Sequence, residues 1–129
     1  MDIDRASRDF EAITEKVLQC AFRVANVLGH GYLEKVYENA LAIELRLAGL
    51  TVEQQARFEV LYRDEVVGEY CPDLIVEGTV VLEVKALRAL VDANISQCLN
   101  YLRVTGHRVG LILNFGTPRI QYRRVLFDS

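Results

Sequence analysis

The stretch that decides the fold is Cys71-Pro72-Asp73-Leu74-Ile75-Val76-Glu77-Gly78-Thr79-Val80-Val81-Leu82-Glu83-Val84-Lys85, in which two aliphatic runs flank a turn signal. The runs, residues 74–76 and 80–85, are rich in β-branched residues and predict two strands. Because side chains alternate along a strand, Glu83 and Lys85 share one face while their aliphatic neighbours point the other way. Charged groups among aliphatic ones are costly to bury unless they are paired or bind an ion. This hairpin is therefore the candidate functional element.

The position of Asp73 relative to Glu83 depends on the length of the turn between the strands. A three-residue loop, residues 77–79, places Asp73 opposite Glu83, whereas a two-residue loop places the two carboxylates on different faces of the sheet. Two carboxylates on one face form a site for a hard divalent cation, for which Mg²⁺ is well suited. A neighbouring ammonium, here Lys85, would hold the attacking water or stabilise developing charge. The alternative is an exposed Glu–Lys pair on an edge strand.

Hydrophobic spacing predicts a mixed α/β (α+β) domain around this hairpin. Two helices come first, followed by a group of short strands, a third helix and two final strands, which indicates a sheet flanked by helices. The helices are predicted at residues 7–28 and 33–48 and from Val91 to Gly106. The strands are predicted at residues 52–55, 58–62, 66–71, 74–76, 80–85, 109–115 and 120–126.

Length and composition predict one globular domain over residues 1–129. Hydrophobic residues make up 51% and charged residues 26% of the 129, which excludes a disordered or collagen-like chain. No apolar run approaches the roughly 18 residues of a membrane span. The acidic start with Asp2, Asp4 and Asp9 is unlike a signal peptide, so we expect a cytoplasmic protein without membrane contact. Three widely spaced cysteines and two histidines argue against a disulfide framework or a zinc site.

The charges are distributed unevenly along the chain. All but one of the 18 acidic residues lie at or before Asp92, although the net charge is only −3. The acid-free stretch 93–127 carries arginines that are predicted to bind nucleic acid, since such a split can mark a face for a polyanion. Solvated surface arginines remain the alternative. The residues are Arg103, Arg108, Arg119, Arg123 and Arg124.

Three motifs together resemble a known family. Pro72-Asp73, followed by Glu83-Val84-Lys85 and a helix, resembles the core of the PD-(D/E)XK nuclease superfamily. Upstream, the segment from Gly31 through Glu34 to Tyr37 matches the pattern of the GxxExxY proteins, a family placed in that superfamily. Downstream, the segment from Gln97 to Tyr101 matches a QxxxY element seen in several of its branches. The resemblance covers roughly residues 10 to 127.

The resemblance implies a restriction-endonuclease-like fold and a set of site residues. Asp73 and Glu83 would ligate Mg²⁺, or alternatively Mn²⁺, and Glu34 would add a third carboxylate. Lys85 would position or activate water, and Gln97 would orient Lys85, the metal-bound water or the substrate phosphate. From the residues alone, Glu34 is also explained as a helix-start acid and Gln97 as a residue at the solvent boundary.

The predicted function is Mg²⁺-dependent hydrolysis of phosphodiester bonds in nucleic acid, with DNA favoured over RNA. One alternative is a non-enzymatic module of the same fold that binds nucleic acid or a protein. Another is a hydrolase of some other phosphate compound. Self-association as a homo-oligomer is left open.

Overall fold

The computed structural model describes residues 3–128, with side chains from residue 10 onward. All predicted helices and strands are present, with bounds shifted by at most four residues. The helices are α1 (Ile3–Leu28), α2 (Glu34–Leu47) and α3 (Asp92–Thr105). The strands are β1 (Val52–Gln54), β2 (Phe58–Tyr62), β3 (Glu65–Tyr70), β4 (Leu74–Val76), β5 (Val80–Lys85), β6 (Val109–Asn114) and β7 (Gln121–Leu126).

Five of the strands form one mixed sheet in the order β1-β4-β5-β6-β7. Only the β5–β6 pair is parallel, and the other neighbours are antiparallel. Parallel strands need a crossover connection, which α3 provides between β5 and β6. The remaining strands, β2 and β3, form a separate antiparallel hairpin. The predicted mixed α/β architecture is therefore confirmed.

Helices α1 and α2 cover one face of the sheet, where most of the core lies. The apolar positions of α1 recur at helical spacing, so that they form one stripe against the sheet. The buried side chains of this layer include Val17, Ala21, Val24, Tyr37, Leu41, Leu45, Leu74, Leu82, Leu111 and Leu113.

Helix α3 and the β2–β3 hairpin cover the other face over a smaller core. Its buried members are Ile75, Val81, Cys98, Leu102, Ile112 and Val125, with Phe58 of β2 packed against them. Val81 and Glu83 lie on the same side of β5, so Glu83 also faces the α3 layer. The acidic side chain is thus placed at the polar end of the smaller core.

Asn114, the last residue of β6, is fully buried and fixes the connections at one end of the sheet. Its Oδ1 accepts hydrogen bonds from the amides of Leu87 at 2.8 Å and Gly116 at 3.1 Å. Its Nδ2 donates to the Leu87 carbonyl at 3.0 Å and to the Gln121 side chain at 3.2 Å. Because Asn114 pairs with Lys85 across the parallel strands, this latch holds the end of the sheet at which Lys85 lies.

The cysteines are free thiols, and Cys20 and Cys98 are buried as small hydrophobic residues, whereas Cys71 is half-buried. Within residues 3–128, no helix is both long and apolar enough to cross a membrane. The side chains of Asp2, Asp4 and Asp9, which entered the expectation of a cytoplasmic protein, lie outside the described part of the chain.

Candidate active site

The β4–β5 hairpin has a three-residue loop, which sets the two acids against each other. Leu74 pairs with Leu82, so Asp73 lies opposite Glu83 one step further from the loop. The loop, residues 77–79, turns through two positive φ angles of 54° and 64°. Residues directly opposite in an antiparallel pair point to the same face. The register that the metal hypothesis requires is therefore present.

Asp73 is held where the chain enters β4. Its Oδ2 accepts a hydrogen bond from the Val84 amide at 2.7 Å, and its Oδ1 accepts one from Nε2 of Gln55 at 3.3 Å. Burial raises the pKa of Asp73 to about 6, the Val84 hydrogen bond partly offsets this rise, and the charge of Glu38 adds to it. The negative charge of Asp73 is thus incompletely compensated by the protein.

Glu83 is the more deeply buried acid, with 5% of its surface exposed. Burial raises its pKa to about 8; the Lys85 ammonium opposes this rise, while the charges of Glu38 and Glu34 add to it. Its Oε1 accepts a hydrogen bond from the hydroxyl of Tyr70. Near neutral pH the cation-free protein therefore holds Glu83 mostly in its protonated form.

Two tyrosines close the site on the α3 side. The rings of Tyr70, at the end of β3, and Tyr101, on α3, are stacked with centroids 3.5 Å apart and planes inclined by 13°. Burial raises the pKa of Tyr101, and the charges of Glu83 and Asp73 add to the rise. The stack ties the β2–β3 hairpin to α3 beside Glu83. Tyr70 was not predicted for the site, because nothing local shows that the end of β3 returns to β5.

Glu38 is a third acid that the sequence analysis did not single out. It is only 4% exposed, although it lies on α2 among residues that form the core stripe. Its carboxylate accepts hydrogen bonds from Gln54 at 2.6 Å, from Gln55 at 3.1 and 3.2 Å and from Lys35 at 3.0 Å. Burial raises the pKa of Glu38, but these donors outweigh burial and leave it below the ordinary value. Glu38 is therefore ionised.

A signal for Glu38 was present in the sequence. It follows Tyr37 directly and precedes Leu41 and Ala42 by three and four residues, which puts it beside or on the apolar stripe of α2. An acid at such a position needs a partner.

The other residues that were predicted for the site lie around this centre at different depths. Glu34, in the first turn of α2, is exposed, but its charge contributes to the raised pKa of Glu83. Lys85 is half-buried at the end of β5 and shares a strand face with Glu83. Gln97 is exposed on α3, and its side chain lowers the Tyr101 pKa against the larger effect of burial.

Two of the predicted arginines are connected with the site, one through a cavity and one through the end of the sheet. Arg103 lines a cavity of about 460 Å³ together with Tyr70 and Tyr101, and its guanidinium lies 5.5 Å from the ring centre of Phe127. Arg119 is an exposed residue in the β6–β7 connection, two positions before Gln121. Since β7 begins where β5 and β6 end, Arg119 lies at the same end of the sheet as Lys85.

The other three predicted arginines are dispersed. Arg123 and Arg124 are neighbours on β7 and therefore point to opposite faces of the sheet. Arg108 lies at the far end of β6 and pairs with Asp128 at 3.4 Å. Arg88, which the sequence analysis did not select, is exposed in the β5–α3 connection close to Lys85.

The carboxylates of the site offer only oxygen atoms as metal ligands, which suits a hard divalent cation. Among the described residues, no three Asp, Glu, His or Cys side chains converge closely enough to hold an ion by themselves. Mg²⁺, however, usually keeps several waters and binds through one or two carboxylates together with substrate phosphate. Asp73 and Glu83 are paired across the hairpin, and their raised pKa values reflect uncompensated burial. Their chemistry fits an ion of this kind.

Comparison with known proteins assigns the family. A family model described as the PD-(D/E)XK nuclease superfamily matches residues 11–125. The chain belongs to the PD-(D/E)XK nuclease superfamily. Nucleases of this superfamily generally use divalent metal ions. The predicted PD-(D/E)XK core is thereby confirmed.

One solved structure has a similar fold. The crystal structure of SSO0001 aligns with a TM-score of 0.60 and 18% sequence identity over 74% of this chain and 50% of that one. The present chain therefore spans about half the length of that protein, and at this identity the likeness concerns the fold alone. No curated protein matches the sequence.

Proposed function

We propose that this protein is a nuclease that requires a divalent cation, Mg²⁺ or Mn²⁺, and hydrolyses phosphodiester bonds of nucleic acid, with DNA favoured over RNA. The observation that carries the proposal is a pair of acids opposed on one hairpin, of which Glu83 is buried and Asp73 is half-buried. Lys85 shares the strand face of Glu83. The segment that begins at Gly31 and contains Glu34 supports the narrower proposal of a GxxExxY protein.

The residues that would hold the cation come from two separate parts of the chain. Asp73 and Glu83 are the proposed direct ligands. Glu38 is ionised and adds a negative charge close to Asp73. Exposed Glu34 would act through a water molecule. When bound, the cation would withdraw charge from a phosphate oxygen and lower the pKa of a bound water. Cation binding would release the proton of Glu83 and offset the burial of the two carboxylates.

Lys85 is the proposed catalytic cation of the chain itself. Its ammonium has three donors and no acceptor, so it can hold a water oxygen or a phosphate oxygen but cannot compete for the metal while it is charged. Gln97 is proposed to position substrate from the surface of α3, because its amide both donates and accepts. Gln97 lies one helical turn before Tyr101, whose pKa is raised in part by the charges of Glu83 and Asp73.

Arginines are proposed to contribute affinity for the phosphate backbone. Arg119 lies at the Lys85 end of the sheet and Arg103 lines the cavity beside Tyr70 and Tyr101, whereas Arg108 lies at the far end of the sheet and is paired with Asp128. We expect Arg103→Ala and Arg119→Ala to weaken DNA binding and its dependence on salt, since each lost phosphate contact reduces the salt slope by about one. Arg108→Ala is the matched control.

The decisive experiment is nicking of supercoiled plasmid by the purified protein in EDTA, Mg²⁺ or Mn²⁺. We expect cation-dependent nicking that Asp73→Asn and Lys85→Met abolish and that Glu53→Gln, on the exposed side of β1, leaves unchanged. Parallel assays on single-stranded DNA and on RNA of the same sequence rank the substrates. Binding of nucleic acid without cleavage in either cation would contradict the proposal and support the binding-module alternative.

A further inference from the structure

The side-chain amide of Gln55 bridges two acids that belong to different elements. Its Nε2 lies 3.1 and 3.2 Å from the two carboxylate oxygens of Glu38 and 3.3 Å from Oδ1 of Asp73. An amide NH₂ group carries two hydrogens, so it can donate to both acids at once. One neutral group thus joins α2 to the entry of β4.

The backbone of Gln55 is committed to the same place. Its φ angle of 57° lies in the left-handed region, which residues other than glycine seldom adopt. Its amide nitrogen donates to the carbonyl of Asp73 at 3.1 Å. Main chain and side chain of Gln55 therefore both bind Asp73, and the strain of the backbone is maintained by these contacts.

The bridge has the chemistry of a cation substitute. A partly positive NH₂ group lies between two carboxylates that would otherwise repel each other. The terminal amide torsion of glutamine is broad and roughly two-fold, so a half-turn exchanges nitrogen for oxygen in the same space. Amide carbonyl oxygens are ordinary ligands for hard cations.

We propose that Gln55 is a placeholder for the divalent cation. In the cation-free protein its amide nitrogen holds Glu38 and Asp73 together. When the cation binds, the amide turns over and offers Oε1 to the cation or to its water. Gln55 is in this sense a positioning residue, and the proposal rests on the cation centre of the proposed function.

The neighbouring glutamine provides a matched control. Nε2 of Gln54 donates to Oε2 of Glu38 at 2.6 Å and to Oδ1 of Asn39 at 2.7 Å, and both of these partners lie on α2. Gln54 therefore contacts the same buried acid as Gln55 but does not bridge to Asp73. A role of the bridge must appear in variants of Gln55 and be absent from the same variants of Gln54.

The experiment measures Mn²⁺ affinity by calorimetry and thermal unfolding with and without Mn²⁺, after removal of metal with EDTA. Gln55→Glu keeps the oxygen ligand and loses the donor. Its melting temperature without cation should therefore be lower than that of Gln54→Glu. Its Mn²⁺ affinity should be about tenfold higher than that of the wild type, because affinity rises with the number of charged ligands. Gln55→Met loses donor and ligand, and should lower both the cation-free melting temperature and Mn²⁺ affinity. Gln54→Met should leave Mn²⁺ affinity within about threefold of the wild type.

Two results would overturn the proposal, and they can be told apart. If the wild type binds Mn²⁺ and the variants of Gln55 match those of Gln54 in both measurements, the placeholder is wrong while the cation centre stands. If the wild type binds no Mn²⁺, the cation centre and the placeholder both fail. Mn²⁺ binding with the expected variant pattern but no nicking of DNA would support the placeholder and contradict only the nuclease activity.

Discussion

Replacing Glu83 by glutamine should stabilise the cation-free protein at high pH, although it should abolish nicking. Burial raises the pKa of Glu83 to about 8 from an ordinary 4.5. Glutamine has the shape of the protonated acid, and its carbonyl oxygen can still accept the hydrogen bond from Tyr70. The substitution therefore removes an ionisation without emptying the site.

The size of the effect follows from the difference in proton binding. Between pH 4.5 and about 8 the folded protein holds a proton on Glu83 that the unfolded chain has released. The free energy of unfolding of the wild type therefore falls as the pH rises through this window, at up to about 1.4 kcal/mol per pH unit. The window of about 3.5 units corresponds to a loss on the order of 5 kcal/mol, fully expressed above pH 8. Glu83→Gln should not undergo this loss.

The assay is urea denaturation of the wild type and of Glu83→Gln in EDTA at pH 5, 7 and 9. At pH 5 the two should agree within about 1 kcal/mol, the usual size of a volume-conserving change. At pH 9 the variant should be the more stable by several kcal/mol, on the order given by the shifted pKa. Glu53→Gln, at an exposed glutamate of β1, controls for general charge effects. A difference between wild type and Glu83→Gln that does not change with pH would refute the argument.

Three further outcomes are expected. Lys85→Met should abolish nicking of plasmid but leave Mn²⁺ affinity, measured by calorimetry, within about threefold of the wild type, because the ammonium is not a metal ligand. Glu38→Gln should weaken Mn²⁺ binding by about tenfold. Glu34→Gln should weaken Mn²⁺ binding less and leave the free energy of unfolding within about 1 kcal/mol of the wild type, because Glu34 is exposed in a first helical turn. Equal effects on Mn²⁺ affinity would contradict the expectation that the buried acid matters more than the exposed one. Gly116→Ala should cost about 1–3 kcal/mol in urea denaturation, because its new Cβ would meet the backbone of Leu87; an unchanged midpoint would count against this close approach.

The hairpin shows how far local sequence reaches. Alternation along residues 80–85 predicts that Glu83 and Lys85 share a face, and the strand bears this out. The face of the sheet on which Asp73 lies depends on the length of the loop between β4 and β5, and the sequence did not predict that length. The observed loop places Glu77 at a φ of 54°, a conformation that glutamate seldom adopts and that no sequence rule assigns to it.

The rest of the site depends on contacts between distant segments. Glu38 and Gln55 are 17 residues apart and meet only because α2 packs beside β1. The bridge from Gln55 to Asp73 spans another 18 residues. No local sequence pattern predicts that these residues come into contact. The position of Glu38 beside the apolar stripe of α2 nevertheless indicated a buried acid that needs a partner.

Clustering along the sequence did not translate into clustering in space for the arginines. Arg123 and Arg124 are adjacent in the chain and lie on opposite faces of β7. Arg108 falls at the far end of the parallel strands because the crossover through α3 returns the chain to where β5 began. Charge patterning along the chain thus did not identify a single basic surface.

The latch made by Asn114 determines where this molecule can be cut or extended. Its four hydrogen bonds join Leu87, in the connection after β5, to Gly116 and Gln121, on either side of the connection after β6, so an insertion next to Leu87 or Gly116 would break a buried polar contact. The turns at residues 63–64 and 77–79 carry no such bonds to Asn114. New termini, fluorescent labels or inserted tags should therefore be tolerated at the turn of residues 63–64 and not around Gly116. The turn of the β2–β3 hairpin is thus the site at which a label can be attached to follow this protein in solution.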